Sequence, residues 1–402
     1  MSASAPIASV SYETRVADMI GELSVGAFPL GLRAVVLTGS LARGEGTWLQ
    51  DGSRVRLAGD ADVFVIFDDR AALPPPERIE RLERAARDRL AAAGIDAHVG
   101  IGAVRASYLC RLRPNIFSYE LITHGKVVCG DSHVLKLAPA FAASQIPLDD
   151  GFRLLMNRMI ELLAAACELD APHASASAVR YHVMKMWLDM ATSYLLFERR
   201  YVPTYRGRAA RLRDLAGEPS ALGPIPLDRF AQTVALATRC KLGESGILEM
   251  REFADLETLI GAAHSLWRWE LTRLTAPGSA DGDLLRRWIA AEPISARIRG
   301  WAAVAKRAGT ARAIFRMPAW IGLARKGSPR RLIYAAASEI VFALPRLTEM
   351  HAAPGSDPRW SELLRGLPVF DSPGTRPSPC TWRRLGQAIA FNYHSFLAST
   401  RS

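Results

Sequence analysis

The stretch from Leu37 to Asp68 reads LTGSLARGEG, then a short insert, then GDADVFVIFD, and it constrains the fold more than any other part of the chain. Val63 to Phe67 are five consecutive β-formers, bounded by Gly59 upstream and Asp68-Asp69 downstream, a pattern that predicts a short strand. Side chains two apart on a strand project to the same side, so Asp60 and Asp62 stand together at its start. Two carboxylates held side by side repel each other, and a divalent cation relieves that repulsion. Hard oxygen ligands suit Mg²⁺, or Mn²⁺ in its place.

Upstream, residues 33–38 (RAVVLT) read as another strand, which Gly39-Ser40 breaks into a helix start. Glycine allows close backbone approach to a ligand, and amides at a helix start favour phosphate oxygens. The Ser40 hydroxyl adds a hydrogen bond and Arg43 a charge-assisted one. A phosphate cradle on one strand and a metal seat on the next suit phosphoryl or nucleotidyl transfer. The bland alternatives are solvated acids at a strand entrance and a surface Arg43 paired with Glu45. No GxxxxGK[ST] is present and no GxGxxG follows a strand.

Gly39-Ser40 followed by Asp60-x-Asp62 on a hydrophobic strand resembles the signature of the DNA polymerase β-type nucleotidyltransferase superfamily. The wording GSLARGEG is similar to the GS-x-ARGE form of bacterial members, the minimal and antibiotic nucleotidyltransferases. The resemblance covers roughly the first third of the chain. It implies that Gly39 and Ser40 contact the triphosphate of an NTP and that Asp60 and Asp62 hold the metals. The chain departs from the pattern in the longer gap between the two motifs. Asp51-Gly52 between β-favouring runs is a hairpin signal, so the insert reads as a β-hairpin. The family also supplies a third carboxylate from a later strand. Residues 95–104 (IDAHVGIGAV) are the natural next strand, on which Asp96, His98 and Gly100 share a face. Asp96 is the expected third catalytic and metal-binding acid, with His98 as a substitute and Glu120 as an outsider.

The rest of residues 1–150 reads helix (12–26), strand, turn-helix (40–46), hairpin, strand (62–67), helix (76–93) and strand (95–104). A helix, a Gly125 turn and a short strand ending at Gly130-Asp131 follow. This order predicts a small mixed sheet with helices mainly on one face. A boundary is expected at 139–151, then a helical domain at 151–275 and a helical, basic C-terminal region at 276–402. The fold class is thus α+β. In the strong helix expected at 174–199, Tyr181, Lys185 and Asp189 recur every fourth residue, and Lys185 is a candidate to reach a nucleotide phosphate. The plainer reading is an internal Lys185–Asp189 pair. Arg199-Arg200-Tyr201 and Tyr205-Arg206-Gly207-Arg208 form a basic-aromatic loop of open role.

Composition sharpens two points. Five widely spaced cysteines, with no CxxC pair, suggest a reducing cytoplasm and no structural zinc. The opening residues show no signal-peptide pattern, and no apolar run is long enough to span a bilayer. The net charge of +11 is concentrated: residues 293–338 carry ten Arg or Lys and no Asp or Glu. Interleaved with Trp301, Phe315, Trp320 and Tyr334, such a stretch suits RNA or another polyanion, an anionic membrane surface, or an arginine-rich face packed internally. The resulting expectation is a Mg²⁺-dependent nucleotidyltransferase moving a nucleoside monophosphate from an NTP to a small molecule or protein. The alternative is a nucleotide-binding, catalytically weak regulator or adaptor.

Overall fold

The computed structural model describes residues 11–52, 54–168, 176–218, 223–244, 255–275, 284–349, 358–368 and 381–400. Residues 1–10 and the first two residues of the helix expected at 174–199 lie outside them. The chain divides into two compact units. One comprises Met1–Pro147, Arg199–Arg211 and Thr238–Gly246; the other comprises Leu148–Glu198, Leu212–Ala237 and Ile247–Ser402. The first 147 residues therefore recruit two later segments, and the expected 151–275 and 276–402 regions both contribute to the second unit.

In the first unit, α1 (Tyr12–Ala27) leads to β1 (Leu32–Leu37), the short α2 (Gly39–Ala42), β2 (Trp48–Asp51) and β3 (Arg54–Phe67). Then come α3 (Pro76–Ala92), β4 (Ile95–Arg105), α4 (Ala106–Cys110), α5 (Ile116–His124) and β5 (Lys126–Gly130). The insert is a hairpin, as its Asp51-Gly52 step suggests: β2 pairs with the start of β3, and Gly52 sits at φ 59°. Its returning arm runs unbroken into the strand bearing Asp60 and Asp62, so β3 is fourteen residues long rather than the expected six.

The sheet is mixed. β3 pairs antiparallel with β2 over Arg54–Leu57 and with β1 over Val63–Phe67, while β4 lies parallel along its other edge and β5 flanks β1. The β3–α3–β4 connection has the length a parallel crossover requires. Strand alternation divides β3 cleanly. Leu57, Ala61, Val63, Val65 and Phe67 enter a core shared with α1 and α3. On the opposite face Ile66 is buried against α4 and α5, with Phe64 packed at the edge of that cluster, and Asp62 and Asp60 are exposed. Helices thus lie on both faces, where they were expected mainly on one, and the second layer ends at Phe64, beside the acidic pair.

The second unit is helical. It holds α6 (Leu148–Cys167), α7 (Ala176–Phe197) and the end of α8 (Tyr205–Ala216), whose beginning belongs to the first unit. Next is α9 (Leu227–Lys241), which ends in the first unit, then α10 (Leu256–Leu274) and α11 (Leu284–Ala290). α12 (Ile294–Ala308), α13 (Thr310–Lys326) and α14 (Pro329–Val341) follow, with α15 (Leu344–Glu349), α16 (Pro358–Arg365) and α17 (Trp382–Thr400) closing the chain. α6 is apolar around most of its circumference, as a central helix must be, and packs against α7, α14 and α17. Among the described residues no helix is long and apolar enough to cross a membrane.

Candidate active site on the first unit

Between its pairings with β2 and β1, β3 is met by the Gly39–Ser40 turn. The Thr38 amide donates to the Asp62 carbonyl at 2.8 Å, and the Thr38 hydroxyl donates to the same oxygen at 3.2 Å. Gly39 has φ 67°, a conformation glycine adopts without penalty. A methyl group placed there would lie 3.3 Å from Asp62 Oδ2, and one placed on Gly100 would lie 3.3 Å from Asp62 Oδ1. Two glycines from two elements therefore leave room for one carboxylate. Gly39→Ala should cost about 1–2 kcal/mol of stability through the left-handed backbone alone, and should also displace Asp62. Thermal unfolding measures the first effect.

The register of β4 decides what else stands beside the acids. Asp60 aligns with His98 and Asp62 with Gly100, whereas Asp96 aligns with Arg56 across an irregularity in the ladder. His98 Nδ1 lies 3.2 Å from Asp60 Oδ1, both side chains well exposed. The residue level with Asp60 is thus His98, and the expected third acid, Asp96, stands roughly 7 Å further down the strand. Among the described residues no group of three or more His, Cys, Asp or Glu is arranged to hold a metal ion. What the strand offers is a pair of hard carboxylates, both exposed and on one face. That donor set fits Mg²⁺, which takes one or two protein carboxylates and completes its shell with water and substrate phosphates.

Arg43 is neither a surface residue nor an open phosphate ligand. Its side chain is 5% exposed, bonded to Glu45 Oε2 at 3.2 Å and to Glu120, with Tyr205 beneath it at 5.5 Å. Burial alone would lower its pKa, but the charges of Glu120, Tyr205 and Glu45 more than offset that and hold it above the usual guanidinium value. Glu45 in turn accepts from the amides of Tyr205 at 3.0 Å and Arg206 at 3.2 Å, as a carboxylate at a helix N-terminus does. Glu120 accepts from the Tyr201 hydroxyl at 2.6 Å; burial, then the neighbouring Glu120 charge, push that phenol well above its ordinary pKa. Arg208 stacks on Tyr205 at 4.5 Å, and buried Lys241 bonds to Thr47.

This network ties the loop after Gly39-Ser40 to the 199–211 and 238–246 segments; sequence reading had paired Glu45 with Arg43 on the surface, and the pair is instead buried and bonded to those segments. Gly44 at φ 69° aims Glu45 inward, and the only sequence signal was the pairing of GEG with an unexplained basic-aromatic loop. Glu45→Gln leaves Arg43 with one carboxylate fewer in a buried setting and should cost about 3 kcal/mol by chemical denaturation.

Lys185 belongs to α7 of the second unit, half-buried. Asp189, one turn on, is buried and accepts from Arg158 Nε at 2.6 Å. Compared with known protein families and with curated proteins, the chain matches no family model and no curated sequence.

Proposed function

We propose that the first unit is a nucleotidyltransferase domain that moves a nucleoside monophosphate from an NTP to an acceptor hydroxyl. The observation that carries this reading is the Asp62 carboxylate lodged between Gly39 and Gly100, with Asp60 exposed on the same face. Asp60 and Asp62 would hold the divalent cations, with Asp96 as the further acid that the resemblance implies. When bound, such cations neutralise the triphosphate and lower the barrier for the attacking oxygen. The chain's own residues do the positioning. Gly39 lets the backbone approach the phosphates, and the Ser40 hydroxyl donates to one of their oxygens. His98, its Nδ1–H turned to Asp60, keeps Nε2 to accept the acceptor's proton. Arg43 acts indirectly, by fixing the loop that follows the turn. The free Cys110, Cys129, Cys167 and Cys240 fit a reducing cytoplasm.

The alternative, a nucleotide-binding regulator with weak catalysis, draws on one observation: Asp96 stands opposite Arg56 and not beside the acidic pair. One experiment separates the two. The full chain is incubated with α-labelled NTPs, Mg²⁺ and cell extract, and wild type is compared with Asp62→Ala. Label transferred by wild type alone supports the transferase. Nucleotide binding without transfer by either supports the regulator, and equal transfer by both removes Asp62 from the chemistry.

A further inference from the structure

In α12 and α13 the charge run found in the sequence acquires a shape. These helices pack on each other, and their inner faces are already filled: Trp301, Val304, Ala313, Trp320 and Leu323 are buried, with Trp301 and Trp320 6.2 Å apart between ring centres. The indole N–H groups are satisfied too, by the Gly327 and Pro368 carbonyls at 3.0 Å. Yet these helices also carry a second, exposed set of large apolar side chains. Ile294 is 73% exposed, Ile298 64%, Ile314 68%, Phe315 81% and Ile321 51%. Isolated exposed apolar residues are ordinary, but this many on two adjoining helices mark an interaction surface. Among them stand Arg299, Lys306, Arg307, Arg325 and Lys326, all exposed, and neither helix contains an Asp or Glu.

We propose that the exposed apolar and basic surface of α12 and α13 docks on an anionic membrane surface. Basic helices with exposed isoleucine and phenylalanine match both layers of such a target, the cations meeting lipid phosphates and the apolar side chains entering the acyl boundary. The same features disfavour the other occupants. A nucleic acid is held by cations and stacked aromatics, but Trp301 and Trp320 point inward and Phe315 alone is offered. A second copy of this face would set cation against cation with no acid to compensate.

The test is flotation of the full chain with vesicles of phosphatidylcholine, alone or with about 30 mol% phosphatidylglycerol. Wild type should float with the anionic vesicles and not the neutral ones. Ile298→Ser/Phe315→Ser should weaken binding about tenfold or more, and Arg299→Glu/Arg325→Glu should abolish it. All four side chains are on the surface or near it, so thermal unfolding should be unmoved in both variants. The proposal is overturned if wild type stays with the pellet, or if the apolar variant floats as well as wild type, which would leave a purely electrostatic polyanion site. It is equally overturned if light scattering shows a wild-type dimer that Phe315→Ser dissolves while vesicles are ignored.

Discussion

Replacing Asp62 by asparagine is expected to lower nucleotidyl transfer about a thousandfold while leaving the fold intact. The residue is exposed, Gly39 and Gly100 flank its carboxylate, and asparagine is nearly isosteric. Because the carboxylate's role would be to hold a cation against a triphosphate, the loss should appear in kcat/KM and be partly recovered when Mn²⁺ replaces Mg²⁺. Asp60→Asn should behave alike. His98→Ala should do less, about tenfold to a hundredfold. Steady-state kinetics on each variant, with circular dichroism as the control, checks all three.

The second large effect concerns stability and lies in the other unit. Glu270 on α10 is fully buried, and among the described residues neither carboxylate oxygen has a hydrogen-bond partner. Burial pushes its pKa from 4.5 up to about 8; the Ser193 hydroxyl pulls slightly the other way without forming a hydrogen bond of normal geometry. The native state therefore keeps its proton across a range in which the unfolded chain has released it. Below pH 4.5 both states are protonated and nothing is lost. From there to about pH 8 the unfolded state binds fewer protons, and stability falls by about 1.36 kcal/mol for each pH unit, about 5 kcal/mol in all. Above pH 8 the penalty persists. Glu270→Gln should remove this slope, so that its stability relative to wild type rises between pH 5 and pH 8.5. Parallel denaturant titrations at those two values measure it, and parallel slopes for the two proteins would contradict it.

Local features of the site were readable from the chain. The Gly39-Ser40 turn, the Asp51-Gly52 hairpin and the Asp60/Asp62 alternation depend on residues within a few positions of one another, where glycine conformation and strand period act directly. What lies between elements was not readable. Register sets His98 beside Asp60, and register follows from how β4 meets β3 past the irregularity between Arg56 and Asp60. The length of β3 was hidden because Ala58-Gly59 interrupts its apolar run and looks like an end. The Arg43–Glu45 pair was readable, but its burial was not, because the other partners of Glu45, at Tyr205 and Arg206, are some 160 residues away. The exposed faces of α12 and α13 were concealed for a related reason. Composition showed cations among apolar residues, and only packing separates Trp301 and Trp320 inside from Ile298 and Phe315 outside.

The most direct measurement is Mn²⁺ binding followed by electron paramagnetic resonance, with and without a non-hydrolysable NTP analogue, on wild type and on Asp60→Asn/Asp62→Asn. Wild type should bind the ion tightly only when the nucleotide is present, since the strand supplies two carboxylates and the phosphates supply the rest, and the double variant should lose that signal. Equal Mn²⁺ binding by both proteins, or none by wild type with nucleotide, would contradict a metal–nucleotide site on β3.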